Sequence, residues 1–323
     1  VIFSQHESIH YRYKYSKFNR KYKNLQNSFE KKPLISILLY INDNLSVKFL
    51  KSTLKSIESQ WYNNVEVCVA VVNKENKEII KYINRLENKK IRIARNSNGL
   101  EDAYRLSTGS YVAVLRAMDH LTPNALYEVA KRINEKDADF IYSDEDKISS
   151  SGNYRDPHFK TDFSYDMFLS YNYIGYFAVI SKEILSKVEK PFNSKMGKAE
   201  CYDAYLKVFE NTERIEHIQK VLYHKRAALE VLEKEKSLDQ YIDRGYKKAI
   251  ETHLERLKIE AKVFDGILKG SYRVCYDIVD DPLVSIIIPF KDNGRILASC
   301  VKSIIDNSTY KNYEIILVSN NSS

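Results

Sequence analysis

An α/β fold built on a mostly parallel sheet is the class this chain predicts, and three observations predict it. Between Pro33 and about residue 135, short apolar runs alternate with amphipathic helical patterns, as in a sheet covered on both faces. The 323 residues, 44% of them hydrophobic, suffice for about two domains with a real core. The opening of the domain also occurs twice: Pro33-Leu34-Ile35-Ser36-Ile37 returns as Pro282-Leu283-Val284-Ser285-Ile286. Each copy continues through Lys-Ser-Ile, at Lys55-Ser56-Ile57 and Lys302-Ser303-Ile304, to a tyrosine, an asparagine and a second apolar run. A repeat this far apart is a duplicated domain, because solenoid units run only to roughly 50 residues.

Taken in order, the first element is a stretch in which Tyr11, Tyr15, Phe18, Tyr22, Leu25 and Phe29 recur every three or four positions. That spacing is one face of a helix, with Lys14, Lys17, Arg20, Lys21 and Lys23 mostly elsewhere. Such a basic amphipathic helix over 1–32 suits either packing on the next domain or attachment to an anionic membrane surface. The pattern then predicts strand 34–41, helix 46–59, strand 65–72, helix 76–87, strand 90–94, helix 99–106, strand 110–115 and helix 123–135. A strand at Asp139 to Tyr142 leads into a polar turn and a mixed region reaching Arg226. Residues 227–280 read as a linker helix followed by a strand at Tyr272 to Tyr276, and 281–323 as the start of the second copy. Beginning at Val1 and stopping just after that copy's second strand, the chain reads as a fragment. Ligands of parallel sheets bind at the carboxyl ends of strands, so chemistry is expected just after each one.

Composition narrows the function classes. No run approaches the ~18 apolar residues of a membrane span, and residues 1–28 are too basic and aromatic for a signal peptide. Cys68, Cys201, Cys275 and Cys300 lack metal-site or disulfide-framework spacing, which fits a reducing, cytoplasmic setting. The net charge of +8 and pI near 9.0 favour anionic partners such as phosphates or an acidic membrane surface. Nucleic acid is not among them, because no recognised module or aromatic-basic platform is present.

Six stretches carry a more specific signal. They are Gly109-Ser110-Tyr111-Val112-Ala113, Tyr142-Ser143-Asp144-Glu145-Asp146-Lys147-Ile148, Asp156-Pro157-His158-Phe159-Lys160, Ser170-Tyr171-Asn172-Tyr173-Ile174-Gly175, Tyr202-Asp203 and Val221-Leu222-Tyr223-His224. In order and spacing they resemble the family 2 glycosyltransferases, specifically the bacterial tandem enzymes that build O-antigen, rhamnan and capsule chains. The resemblance runs from about Tyr22 to Ser323 and implies a GT-A fold, a nucleotide-binding sheet joined to an acceptor-binding half. It also implies a nucleotide-sugar donor, a glycan or lipid-linked acceptor, a divalent metal (manganese or magnesium) and a place in the cytoplasm, peripheral at the inner membrane. The chemistry explains the demand: a hard cation on carboxylates offsets the charge of the leaving nucleoside diphosphate, while a carboxylate deprotonates the acceptor hydroxyl.

Against that pattern the first copy departs at the donor positions. Where the family carries an acidic pair after the second strand, this chain has Val71 and Val72, followed by Asn73; aliphatic side chains cannot accept a base N–H. The family's metal-binding Asp-x-Asp is replaced by Leu115-Arg116-Ala117-Met118-Asp119-His120, which keeps only Asp119 as a metal ligand and sets a fixed cation beside it. Arg116 either excludes the metal or itself neutralises the diphosphate. At the catalytic-base stretch, Glu200-Cys201-Tyr202-Asp203, a thiol occupies the base position, leaving Glu200 and Asp203 as candidate catalytic carboxylates. The Asn98-Gly99 element is shortened, and Asp43 stands in the first loop where the family contacts the nucleotide. Asp144, Glu145 and Asp146, with Asn172, are assigned to an acceptor-contacting or structural turn. The first domain, over 33–226, is therefore expected to be weak or inactive, serving as a scaffold that binds acceptor glycan or a partner.

Overall fold

The computed structural model describes residues 29–41, 45–71, 77–86, 90–149, 152–226, 239–278 and 280–321. The basic helix expected before Phe29, together with Asp43 and Asn73, lies outside the described residues. Two compact units are present, Val1–Cys275 and Tyr276–Ser323.

The first unit follows the predicted alternation closely. Its opening elements are β1 (Ile35–Ile41), α1 (Val47–Glu58), β2 (Val65–Val71), α2 (Lys77–Asn84), β3 (Ile91–Arg95), α3 (Leu100–Leu106), β4 (Tyr111–Arg116), β5 (His120–Leu121) and α4 (Ala125–Lys136). There follow β6 (Phe140–Ile148), β7 (Tyr154–His158), α5 (Tyr165–Ser170), β8 (Ala178–Ser181), α6 (Lys182–Ser186), a 3-10 turn (Ser194–Ala199), α7 (Glu200–Phe209), β9 (Ile215–Arg226) and α8 (Asp239–Arg256). The sheet order is β3-β2-β1-β4-β8-β6-β9-β5, with β7 added to β6. β1 to β4 are mutually parallel, whereas β8 runs antiparallel to both β4 and β6.

Strand periodicity divides the apolar side chains between two cores. Ile35, Ile37, Leu39, Val67, Val69 and Val71 meet α1, α2 and α4 on one face. Leu38, Cys68 and Ala70 meet the cluster of α3, α5, α7 and α8 on the other. The helix read as a linker, α8, buries Ala249, Ile250 and Leu254 in that second cluster.

A buried polar knot joins the parallel strands. Ser36 Oγ donates to Glu66 Oε1 at 2.6 Å, and Glu66 also accepts from the Thr108 backbone at 2.5 Å and the Gly109 backbone at 3.2 Å. Burial works to raise the Glu66 carboxyl, but the donors from Ser36 and Thr108 bring it below its ordinary value. Gly109 is needed here, since a Cβ would run into the Leu34 carbonyl and Ser36 Oγ.

The acidic run 144–146 does not form a turn. β6 continues through it to Ile148, because β9 pairs with it in parallel as far as Ile148↔Arg226 and β7 covers its other edge. Tertiary pairing overrides the low strand propensity of aspartate and glutamate.

The second unit holds β12 (Val284–Phe290), α9 (Gly294–Asn307) and β13 (Tyr313–Ser319), the strands parallel. Ahead of it, β10 (Ala261–Asp265) and β11 (Tyr272–Tyr276) form a two-stranded hairpin. The repeat extends to hydrogen bonds: Ser285 Oγ donates to Glu314 at 2.6 Å as Ser36 does to Glu66, and Tyr310 donates to the Pro282 carbonyl as Tyr62 does to Pro33.

Candidate functional site

The carboxyl ends of β1, β2 and β4 mark where a ligand of this sheet belongs. β4 ends at Arg116, paired in register with Tyr40, and the chain turns at once so that the Asp119 N–H donates to the Arg116 carbonyl at 3.1 Å. The turn sets the two side chains together as a forked ion pair, Nε to Oδ2 at 2.6 Å and Nη2 to Oδ1 at 2.9 Å. β9 then closes it. Tyr223 donates its hydroxyl to Asp119 Oδ2, and the Arg226 N–H reaches Oδ1 at 2.7 Å. Asp119 is fully buried. Burial disfavours the charge on Arg116, yet the carboxylate beside it holds the guanidinium well above its usual range. The Arg116 guanidinium also lies 5.0 Å over the Tyr176 ring.

A second layer surrounds this pair. Arg226 donates to the Met118 carbonyl at 3.0 Å, sits 4.6 Å over Phe49, and meets His120 Nε2 at 2.8 Å. Arginine can only donate, so His120 Nε2 is an acceptor and the ring proton rests on Nδ1; Ser52 Oγ approaches the same nitrogen at 2.6 Å. Burial first, then the Arg226 cation, lowers His120 to about 4, so the ring is neutral at ordinary pH.

A divalent metal does not fit this corner. A hard cation needs free oxygen lone pairs, and each oxygen of Asp119 already takes two protein donors, one of them a guanidinium nitrogen. Among the described residues no group of three or more histidine, cysteine, aspartate or glutamate side chains is placed to hold a metal.

The base corner is built differently. Glu200 opens α7 and is about nine-tenths buried; it accepts from the Leu100 backbone, while Oε1 has no hydrogen-bond partner. Burial raises its carboxyl to about 7. Gly99 makes room for it, since a Cβ there would stand 2.8 Å from Glu200 Oε1. Cys201, at the family's base position, turns into the second core, where burial pushes the thiol far up. Such a group is no base at neutral pH. Asp203 is fully buried and ion-paired with Lys207 at 2.7 Å, with Arg256 at 3.9 Å.

The remaining candidates have partners within the protein. Asp144 accepts from the Lys160 backbone at 2.8 Å and lies 2.9 Å from His217 Nε2, whose ring stacks on Tyr142. Glu145 pairs with the buried Lys160 ammonium at 3.1 Å, and Asp146 with His224. Asn172 Oδ1 accepts from the Gly175 N–H at 3.2 Å. At the ends of β2 and β3 lies a cavity of about 360 Å³ lined by Val71, Ile80, Ile83, Asn84, Ile93 and Arg95. Among the described residues its lining holds no carboxylate, and Arg95 donates to Asn84 Oδ1 at 3.0 Å.

Motif reading found Arg116 and Asp119 but missed Tyr223, Arg226 and His120, which seal the pair. Tyr223 and His224 were visible as part of a motif; only the β5–β9 pairing, His120↔His224 and Leu121↔Tyr223, brings them to the corner.

The glycosyl transferase family 2 model matches residues 39–189 and 285–323, in both units. An uncharacterised protein, y4gI of Sinorhizobium fredii, is 32% identical over 302 residues, and the O-antigen biosynthesis protein RfbC of Myxococcus xanthus 31% over 305; each match covers 90% of this chain. The chain spans 33% of the first relative's length and 23% of the second's. Solved structures with similarity include S. aureus TarS 1-349 in complex with UDP-GlcNAc, at 15% identity and TM-score 0.48, covering 69% of this chain and 72% of that one. Another is the mannosyltransferase PcManGT from Pyrobaculum calidifontis in complex with GDP-Man and Mn2+, at 11% identity and TM-score 0.46, covering 76% and 81%. The sheet with helices on both faces is the α/β architecture expected from the sequence. With the family model matching in both units and two relatives above 30% identity along nine-tenths of its length, the chain belongs to the family 2 glycosyltransferases.

Proposed function

We propose that the protein works in transferring sugar from a nucleotide-sugar donor to a growing surface polysaccharide at the inner-membrane surface. Within it the first domain, 33–226, serves as a weak or non-catalytic binding scaffold for the acceptor glycan or a partner domain. The polysaccharide part is supported by the family and by the name of the M. xanthus relative. The scaffold part is carried by one observation: both oxygens of Asp119 are filled by Arg116, Tyr223 and the Arg226 backbone. In the domain arrangement that goes with this reading, 227–280 connects the first domain to a second of the same type beginning at 281.

The residues of the first domain are given binding and architectural roles. Arg116 holds the corner as an internal counter-charge, Asp144, Glu145 and Asp146 brace β6 against β9 and β7, and Glu200, its carboxyl raised to about 7 by burial, lies beside Gly99. Incubation of the chain with UDP-, GDP- and dTDP-sugars and manganese tests the reading. The expected result is no release of free sugar or nucleoside diphosphate above the blank. Metal-dependent turnover abolished by Asp119→Asn would overturn it.

A further inference from the structure

The hairpin of β10 and β11 ends in a tip that nothing in the chemistry above uses. Ile267 is 104% exposed and Leu268 74%, the most exposed large apolar side chains among the described residues of the first unit. The tip is a defined turn. The Gly266 N–H donates to the Ser271 carbonyl at 2.7 Å, and the Leu268 carbonyl accepts from the Ser271 N–H at 3.0 Å and its hydroxyl at 2.7 Å. Gly270 has φ +78°, and a Cβ on Gly266 would collide with Ser271. The strands are anchored from below: Val263 and Tyr272 are buried in the same cluster as Ala249, Ile250 and Leu254 of α8.

The outward side of the hairpin is cationic and aromatic. Lys262 and Phe264 on β10 and Arg273 on β11 are exposed, and Lys269 follows the aliphatic pair directly. The carboxylate nearest the turn, Asp265, is faced by Lys247 at 3.7 Å, while Glu260 and Asp277 stand at the far end of the hairpin. A rigid turn therefore carries two aliphatic side chains foremost, with an aromatic ring and three cations behind them. That is the depth order of an interfacial anchor: aliphatic groups at the acyl boundary, aromatic rings and cations among the headgroups. The tip is convex, so its side chains point outward instead of lining a groove for a protein segment.

We propose that Ile267 and Leu268 are a wedge that inserts into an anionic lipid surface, with Lys262, Lys269 and Arg273 holding the headgroups. The proposal rests on the membrane-surface part of the function proposed above and is independent of donor binding. Co-sedimentation of the full chain with vesicles of equal parts phosphatidylglycerol and phosphatidylcholine tests it, beside pure phosphatidylcholine. The wild type is expected to bind the anionic vesicles and not the neutral ones. Replacing both residues, Ile267→Glu with Leu268→Glu, removes two aliphatic insertions and is expected to weaken binding roughly tenfold or more, with the thermal midpoint unchanged because the side chains are exposed. Equal binding by the double variant would overturn the wedge and leave the membrane reading standing. Failure of the wild type to bind either vesicle would overturn both. Loss of self-association in the variant, without vesicle binding by the wild type, would reassign the tip to a protein contact and likewise overturn the proposal.

Discussion

Asp119 and Glu200 are both buried carboxyl groups at family motif positions, but their surroundings are opposite. Asp119 takes four donors, two of them from a guanidinium, so both of its oxygens are filled from within the fold. Glu200 has one backbone donor and an oxygen without a partner, and burial favours its neutral form. The first corner fills its carboxylate with donors from within the protein; the second keeps a carboxyl whose charged form burial disfavours. A metal-dependent transferase needs the reverse, an open carboxylate at the first and an ionised base at the second. A retained acidic residue therefore says little about chemistry until its donors are counted.

Removal of Asp119 has the largest expected effect. Asp119→Ala strands Arg116 as a buried, uncompensated charge, and loss of one partner of such a pair costs about 3–5 kcal/mol. Urea denaturation measures it; a loss below about 1 kcal/mol would mean that Arg116 readily finds water or an anion, and that the corner is open after all.

Glu200→Gln should act in the other direction and more weakly. The folded-state carboxyl titrates near 7 against 4.5 in an unperturbed glutamate. Because the folded value is the higher one, the penalty is absent below the unfolded value, grows as the unfolded chain ionises, and is complete above pH 7. The neutral amide is therefore expected to stabilise the protein by up to about 3 kcal/mol at pH 8 and by almost nothing at pH 4. Denaturation midpoints across that range check it, and a stabilisation independent of pH would show that Glu200 is not the titrating group.

Much of the fold was legible because the parallel half obeys local rules. The predicted strand 65–72 and helix 123–135 differ from β2 and α4 by one or two residues at their ends, since period-two and period-3.6 apolar patterns decide such elements directly. β6 was not legible beyond Tyr142. Its strand state at Asp144 and Asp146 depends on His217 and His224, more than seventy residues away, which pair with those carboxylates. The site divides in the same manner. That Arg116 sets a cation where the family keeps a carboxylate is visible in one line of sequence; that the cation is spent on Asp119 depends on Tyr223 and Arg226 arriving from β9. Likewise the thiol of Cys201 beside Glu200 is visible in sequence, but only packing shows that it faces the core and that burial raises the Glu200 carboxyl to about 7.

In the first unit the Arg116–Asp119 pair fills the oxygens a metal would need. Titration of the chain with manganese in the presence of UDP, followed by the electron paramagnetic resonance signal of free manganese, tests it most directly. The expected result is the same free-ion signal with and without protein beyond what UDP alone binds. A stoichiometric loss of signal at or below roughly hundred-micromolar manganese, about −5.5 kcal/mol, that disappears in Asp119→Asn would contradict it.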